Sequence, residues 1–363
     1  MYDQIREDTL FIILYTIVTT IAAMAGIYLL FRRSNAIVPD VMPPARLRRW
    51  TAAFFAALAL NHLWYMPIFF LSSSEDIMLC DLIGGFLDSI TVFPLMIVVL
   101  FTMLQDRRRP LWPAYVMMSP FIVASAWCVT ARSYALLTME YIYALLMCMG
   151  LIIYMVCALR RYGRWLRDNF ADLEHKEVWQ SFVGLAIIML LIFIYVFIYE
   201  GQVYQYAMQV ICIVFVFYLL WRVETLSDLT ILQSLDATEE APVSEEQATH
   251  KDLGQLLQKF CIDAKLYLQH DLTVIQLAKA IGTNRSYLSR YFSSQGTTYN
   301  AYINGLRIQH FINLYHQSAA IRQPVTAQQL AYQSGFRSYS TFSAAFKQVK
   351  GMTATEWMRL SEK

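Results

Sequence analysis

Long apolar stretches separated by short polar loops dominate the first 222 residues. Seven of them reach the length of about 20 residues that a helix needs to cross hydrocarbon roughly 30 Å thick. They cover approximately 10–31, 50–71, 82–104, 111–129, 134–159, 182–199 and 203–221. The first stretch is too long, and too poor in a small-residue cleavage site, to be only a signal peptide. The pattern therefore predicts a polytopic helical membrane module of about seven spans.

The loops between these stretches predict the orientation of the module, because Lys and Arg are retained on the cytoplasmic side. One set of loops carries 14 Lys and Arg residues, whereas the opposite set carries only Arg6 and Arg132. This bias needs an odd number of spans, with the N-terminus outside and the C-terminus inside. We expect a multi-pass protein of a bacterial inner membrane whose tail lies in the cytoplasm, where the DNA is.

A different pattern fills the C-terminal tail, in which two segments repeat each other. The motif LAxxxG occupies 277–282 and returns at 330–335, and the motif [LF]SxxF occupies 288–292 and returns at 342–346. Each unit opens with a capping box, at Thr273 with Gln276 and at Thr326 with Gln329, which predicts a helix start. A helix of about two turns, a glycine turn and a second helix with apolar residues at i and i+4 make a helix-turn-helix unit.

The repeated positions predict which side chains are buried. Ala278 and Ala331 allow the two helices of each unit to cross closely, and the second helices bury Leu288, Phe292, Phe342 and Phe346. Between the units, 298–315 keeps one apolar stripe and predicts a helix of about 27 Å, which suits two recognition helices near the ~34 Å repeat of the duplex. With a leading helix at 253–268 and a last one begun by Thr353 and Glu356, the tail has seven predicted helices.

Charge separates the tail from the rest of the chain. The whole protein is 57% hydrophobic and 15% charged, with a net charge of only +2. From residue 251 onward there are 13 Lys and Arg against 5 Asp and Glu, while 224–250 holds 7 acidic residues and no Lys or Arg. A basic domain on an acidic tether is typical of a module that meets polyanions.

The connector carries leucines at every third position, at Leu226, Leu229, Leu232 and Leu235. This spacing predicts a short helix that extends the last membrane helix, followed by a flexible tether at 237–250. A dimerising coiled coil would alternate spacings of three and four residues over several heptads, and this alternation is absent. A homodimer through this segment is therefore the less favoured alternative. The predicted organisation is a sensor module at 1–222, a connector and acidic linker at 223–250, and a DNA-binding domain at 251–363.

Motifs of catalysis and of metal or cofactor binding are missing from the sequence. The six cysteines show no CxxC spacing and lie mostly in apolar runs, so neither disulfides nor a zinc site is expected. No HExxH, GxSxG or phosphate-binding glycine loop is present, and we expect no enzyme and no cofactor. A transporter or membrane enzyme with an appended regulator is the alternative, but its usual internal repeat is not visible, although Pro67, Pro94 and Pro120 interrupt spans.

Polar residues inside predicted spans are candidates for a ligand pocket, because they are costly in lipid. Asn61 and His62 lie in the second span, and Asp88 and Glu140 lie at a similar depth of about 9 Å below the outer surface. Tyrosines and further acids gather at the same outer ends, which suits a cationic ligand. They are Tyr134, Tyr141, Tyr195, Tyr199, Tyr204, Asp81 and Glu200. The alternative is an aromatic belt with interhelical hydrogen bonds, and His62 alone fits a packing role better than metal binding.

The tail resembles the AraC/XylS transcription regulators over about 273–360. The resemblance rests on the phrases SYLSRYF at 286–292, LRI at 306–308, LAYQSGF at 330–336 and FK at 346–347, at the family's mutual distances. It implies binding to double-stranded promoter DNA and activation through contact with RNA polymerase. Relatives of this kind usually carry a soluble ligand-binding domain where this chain has its membrane module.

The same resemblance implies which residues face DNA. By position, the base-facing residues of the first unit are Arg285, Ser286, Ser289 and Arg290, and those of the second unit are Tyr339, Ser340 and Ser343. Arg290 is the best candidate for a bidentate guanine contact, and a phosphate contact is its alternative. Residues expected at phosphates are Arg307, Arg337, Lys347 and Lys350. Ala344 stands where an Arg is common, so the second unit is expected to anchor more than to read, and Ala354 replaces a frequent Pro.

Together these patterns predict an all-α protein with a helical membrane domain followed by a seven-helix, double helix-turn-helix DNA-binding domain. The expected function is that of a membrane-bound one-component regulator, which senses an unknown small ligand or membrane partner and acts on promoters as an activator. Its expected partners are DNA, RNA polymerase and the lipid bilayer.

Overall fold

The computed structural model describes residues 9–32, 35, 37–39, 41–184, 186–187, 202–229 and 250–361. Over these residues the chain is helical and contains no strand, apart from one isolated β-bridge. The chain divides into two compact units, one of residues 1–160 with 178–230 and the other of 161–177 with 231–363. Contacts thus group residues 161–177 with the C-terminal tail rather than with the predicted membrane module.

The first unit consists of long apolar helices. They are α1 (Thr9–Phe31), α2 (Ala45–Tyr65), α3 (Ser74–Ile90), α4 (Val92–Met103), α5 (Trp112–Ala131), α6 (Leu137–Asn169) and α7 (Gln202–Glu224), and residues 161–169 of α6 belong to the second unit. By length and composition, the described residues include six helices able to cross a membrane, with α3 and α4 taken together as one. Most of the predicted span at 182–199 lies outside the described residues, so the seventh span stays a prediction.

Two of the predicted spans are not continuous α-helices. The second ends at Tyr65 and continues as a 3-10 turn, Met66–Phe69, with Pro67 near its start. The third begins at Ser74 and breaks at Thr91, where φ is −122° and ψ is −71°. Pro94 explains this break, because proline lacks an N–H and its ring collides with the carbonyl four residues earlier.

The end of the last span corrects the prediction for the connector. Helix α7 ends at Glu224, and Leu226 and Leu229 are buried in non-helical chain instead of extending the helix. The amide of Gln105 holds this chain, since its Nε2 donates to the Ser227 carbonyl at 3.0 Å and its Oε1 accepts from the Leu229 N–H at 2.9 Å. Leu226 and Leu229 are removed from water in this turn, whereas a helix continuing past Glu224 would leave them more exposed. Leu232 and Leu235 lie outside the described residues.

The second unit contains the helices of the tail. They are α8 (His250–Leu257), α9 (Val274–Ile281), α10 (Arg285–Ser294), α11 (Tyr299–Ala320), α12 (Ala327–Gln333), α13 (Tyr339–Lys350) and α14 (Ala354–Ser361). The predicted leading helix at 253–268 is interrupted: α8 passes into a π-helix, Gln258–Asp263, and a 3-10 turn, Leu266–Leu268, follows Lys265. Lys265 has a φ of +53°, in the left-handed region, so a continuous right-handed helix cannot pass through it.

Helix α11 joins the two helix-turn-helix units and contributes to both of their apolar cores. Tyr299 and Ile303 lie in the core of the first unit, and Ile308, Phe311 and Ile312 lie in that of the second. With 22 residues it is about 33 Å long, somewhat longer than the stripe at 298–315 predicts. Each unit therefore folds around its own core on a shared helix.

Candidate nucleic-acid interface and membrane polar cluster

The first helix-turn-helix unit is built by local hydrogen bonds. The capping box at the start of α9 is confirmed: the Gln276 N–H donates to Thr273 Oγ1 at 3.2 Å, and the Thr273 N–H donates to Gln276 Oε1 at 2.9 Å. Gly282 ends the helix at a φ of +73°. Asn284 then starts α10 by accepting the Tyr287 N–H at 2.9 Å, a cap that the repeat pattern did not include. Its signal was an Asn directly before the second helix.

The second helix-turn-helix unit repeats this construction. Thr326 and Gln329 form the second predicted capping box, and Ser338 caps α13 by accepting the Thr341 N–H at 3.3 Å. Gly335 has a φ of +86°, and a Cβ built on it would lie 2.7 Å from Leu268 Cα and 2.8 Å from the Leu268 carbonyl oxygen. Only glycine allows this close approach of two backbones.

One face of each second helix is buried, as the repeat predicts. Leu288 is 0% and Phe292 is 2% exposed in α10, and both Phe342 and Phe346 are 0% exposed in α13. The small residues of the first helices are buried too, with Ala278 at 1% and Ala331 at 0%. The positions expected to face DNA lie on the remaining surface, so we call α10 and α13 the recognition helices.

The candidate DNA-binding residues differ in exposure and in contacts. The exposed ones are Ser286, Arg290, Ser340 and Lys347, and the half-buried ones are Arg285, Ser289, Arg337, Tyr339 and Ser343. The Arg290 guanidinium lies 5.8 Å from the ring centroid of Tyr287, one turn earlier on the same exposed face. Arg337 Nη1 lies 3.4 Å from Asp271 Oδ2, and Tyr339 packs against Phe342 at 5.6 Å. Direct contact with bases or phosphates stays a prediction for all nine.

Arg307 does not face DNA, which corrects its predicted phosphate contact. Its side chain is 0% exposed and donates from Nε to the Tyr267 carbonyl at 2.8 Å. Its Nη2 donates to the carbonyls of Gln269 and His270 at 2.7 Å and 3.2 Å. Burial lowers the pKa of Arg307, and the neighbouring Asp172 and Asp271 oppose that shift. Arg307 is therefore a structural residue that ties the chain before α9 to α11.

In the compact unit of residues 1–160 and 178–230, part of the expected ligand pocket forms a polar cluster. We define this cluster as Asn61, Tyr65, Asp88 and Thr91. Asn61 Nδ2 donates to Asp88 Oδ1 at 2.7 Å and to Thr91 Oγ1 at 3.1 Å. The Tyr65 hydroxyl donates to Asp88 Oδ2 at 3.1 Å. Helices α2 and α3 are thus joined by hydrogen bonds at the residue where the third span breaks.

The other two candidates of that pocket have different partners. The His62 ring contacts Tyr15, at 4.9 Å between ring centroids, and its Nδ1 lies 3.1 Å from the Leu58 carbonyl. Glu140 accepts a hydrogen bond from Ser125 at 3.3 Å. Tyr134 donates to Asp81 at 3.0 Å, whereas Tyr195, Tyr199 and Glu200 lie outside the described residues and the Tyr204 side chain is not described. No group of three metal-binding side chains occurs within the described ranges.

Among known proteins, similarity is found for the C-terminal tail. Residues 277–360 match a family model described as "Helix-turn-helix domain". Two curated proteins named "TCP pilus virulence regulatory protein", from two strains of Vibrio cholerae serotype O1, are each 34% identical over 76 residues. The match covers 21% of this chain and only 26% of the length of these relatives. No solved structure matches the chain. The C-terminus therefore carries an AraC-type helix-turn-helix domain, which supports a DNA-binding transcription regulator.

Proposed function

We propose that this protein is a membrane-bound one-component transcription regulator. It binds promoter DNA sequence-specifically through its two helix-turn-helix units and activates transcription through RNA polymerase. Two features of the one chain carry the proposal. Its described residues include six helices long and apolar enough to cross a membrane, and it has an AraC-type domain whose recognition helices keep polar faces exposed. Such a chain restricts its targets to promoters that reach the membrane.

The two units have different roles in this proposal. In α10, Arg290 and Arg285 read base edges, with Ser286 and Ser289 beside them, since an Arg can bind guanine O6 and N7 in the major groove. In α13, Tyr339, Ser340 and Ser343 contact bases more weakly, because Ala344 supplies no donor. Lys347 and Arg337 hold phosphates, which positions the domain without reading sequence. The first unit therefore sets specificity and the second adds affinity.

The membrane module senses an envelope or extracellular signal. Its orientation, with the N-terminus outside and the DNA-binding domain in the cytoplasm, follows from the basic loops. The signal site we propose is the polar cluster together with Glu140, because carboxylates and amides within membrane spans are costly in lipid and commonly mark functional sites. A cationic ligand or a membrane partner would compete for the hydrogen bonds that Asp88 now accepts from Asn61 and Tyr65.

The break between α3 and α4 favours a second candidate, a transporter or membrane enzyme with an appended regulator. Discontinuous helices form the substrate and ion sites of many transporters. Asp88 precedes the break at Thr91 by less than one turn. In that case the DNA-binding domain would report the transport state rather than simple ligand occupancy.

Selection of genomic DNA fragments by the full chain in nanodiscs tests the proposal. We expect the wild type to enrich defined promoter fragments and Arg290→Ala to enrich them more weakly and less selectively. Arg359→Ala, which replaces an exposed arginine on α14, should enrich them as the wild type does. Chromatin immunoprecipitation in cells then compares the wild type with a variant carrying Asp88→Asn and Glu140→Gln. Recovery of only random fragments by the wild type would refute sequence-specific binding. Unchanged promoter occupancy and transcription in the Asp88→Asn, Glu140→Gln variant would refute the signal site.

A further inference from the structure

Residues 161–177, which we call the docking segment, contact the DNA-binding domain through backbone hydrogen bonds. The Ala171 N–H donates to the Leu272 carbonyl at 3.2 Å, and Phe170 forms an antiparallel bridge with Thr273. Asn300 of α11 donates its amide to the carbonyls of Phe170 at 3.1 Å and Ala171 at 2.8 Å. Because buried carbonyls almost always have partners, these bonds fix the segment in one register.

Side chains bury the same contact. Ala171 is 0% exposed and belongs to the apolar core of the first helix-turn-helix unit. Tyr162 closes the segment on itself by donating to the Lys176 carbonyl at 2.9 Å, and Lys176 Nζ lies 3.9 Å from Asp271 Oδ1. Burial lowers the pKa of Lys176, while Asp172 and Asp271 oppose the shift. The segment thus contributes to the core of the DNA-binding domain.

One carboxylate of the docking segment contacts a recognition helix, and a second interacts electrostatically with the other. Asp168 is close enough to interact electrostatically with Arg167, Arg164 and Arg285, and Arg285 is the first residue of α10. Glu174 Oε2 accepts a hydrogen bond from Thr341 Oγ1 at 3.4 Å, and Thr341 is the third residue of α13. The first turn of a recognition helix is where base edges and phosphates approach. Glu174 therefore places negative charge at the start of α13, and Asp168 divides its interaction between Arg285 of α10 and the segment's own Arg167 and Arg164.

The docking segment is also continuous with a predicted membrane span. Helix α6 has 33 residues and is about 50 Å long, which exceeds the roughly 30 Å of hydrocarbon. Its apolar part precedes Arg160 and Arg161, and its last residues, 161–169, belong to the docking segment. A shift of this helix would act directly on the contacts of Phe170 and Ala171.

We propose that the docking segment is an intramolecular competitor of DNA. While it is docked, the carboxylates of Asp168 and Glu174 offset the positive charge and hydrogen-bond donors of both recognition helices and lower DNA affinity. Movement of α6 withdraws the segment and releases the helices. This inference rests on the proposed function, because it describes how the same DNA-binding surface is controlled.

The test measures the affinity of the full chain, in nanodiscs of zwitterionic lipid, for a fluorescent duplex of random sequence. A duplex of about 40 base pairs spans both recognition helices, and about 50 mM salt keeps non-specific binding measurable. The variants are Asp168→Asn and Glu174→Gln, which remove one segment carboxylate each, and Asn300→Ala, which removes two docking bonds. Asp263→Asn is the matched control, because it removes an exposed carboxylate of the same unit outside the segment. Hydrogen exchange of the peptide 170–176 reports docking.

We expect each segment variant to lower Kd about fivefold, the lower end of common coupling effects, while the control stays within about twofold. In Asn300→Ala we expect faster exchange of 170–176 together with the lower Kd. Unchanged or weaker binding by Asp168→Asn and Glu174→Gln, with wild-type binding measurable, would overturn the competition. If neither the wild type nor any variant bound duplex DNA, the proposed function itself would fail, and the inference with it.

Discussion

Replacement of the buried Arg307 by methionine should destabilise the DNA-binding domain by about 3 kcal/mol. Its two shortest hydrogen bonds, at 2.8 Å and 2.7 Å, each contribute about 1.5–3 kcal/mol because the donor is charged. Removing the guanidinium also removes the cost of burying its Nη1, which has no hydrogen-bond partner, and this offsets about 1–3 kcal/mol. Methionine keeps much of the volume, so cavity formation adds little.

The thiol of Cys261 gives a local readout of this loss in the full chain. Cys261 is 0% exposed in the core of the first helix-turn-helix unit, and burial raises its pKa to about 11. Its thiol therefore reacts with an alkylating reagent only after local opening. About 3 kcal/mol corresponds to a roughly hundredfold rise in the opening constant, and in the labelling rate near pH 8 followed by peptide mass spectrometry. The matched control is Arg359→Met, at an exposed arginine of α14.

Two outcomes would refute this account of Arg307. A rise in labelling below about threefold, less than 1 kcal/mol, would mean that its carbonyl contacts contribute little. A phosphate contact predicts instead that labelling is unchanged while the salt dependence of DNA binding falls by about 0.9 in log-log slope. Arg307→Lys separates charge from geometry, since an ammonium keeps the charge but lacks the planar fork that reaches three carbonyls.

Three further predictions concern single positions. Arg290→Ala should cost about 1–3 kcal/mol of operator binding and relax preference at one base, as measured by titration of single-base operator variants, whereas equal loss on random DNA would exclude base reading. Gly335→Ala should destabilise the second helix-turn-helix unit by more than about 2 kcal/mol, because the added Cβ would collide with the Leu268 backbone. Gly282→Ala, at a similar positive φ but with open space around it, should cost only about 1 kcal/mol. Native-state proteolysis measures both costs, and equal costs would contradict the close approach at Gly335. Hydrogen bonds from Thr353 lower the pKa of Glu356. The stability that Glu356 gives α14 is therefore present above the unfolded pKa of about 4.3 and is lost as pH falls through the lower folded pKa. Glu356→Gln should flatten this pH dependence, measured by hydrogen exchange of residues 354–361, and an unaltered pH profile would contradict the role of the carboxylate as a cap.

Much of the tail could be predicted from the sequence because it rests on local interactions. A capping box joins residues three apart, and an apolar face repeats every three or four positions, so Thr273 with Gln276 and Phe342 with Phe346 are visible in the letters alone. The apolar stretches are equally local, since length and hydropathy determine whether a helix can cross a membrane. These signals were sufficient for the all-helical class, for both helix-turn-helix units and for their buried faces.

Tertiary structure alone decided which polar side chains meet. Arg307 lies beside Leu306 and Ile308 in a helix, and its acceptors are backbone carbonyls about 40 positions away, which every sequence possesses. The contact of Ala171 with Leu272 and Asn300 is likewise made through backbone groups and leaves no side-chain pattern. Asn61 could be recognised as costly in lipid, but only the packing of α2 on α3 gives it Asp88 as a partner. Local periodicity thus determines elements, whereas long-range hydrogen bonds to backbone require the folded chain.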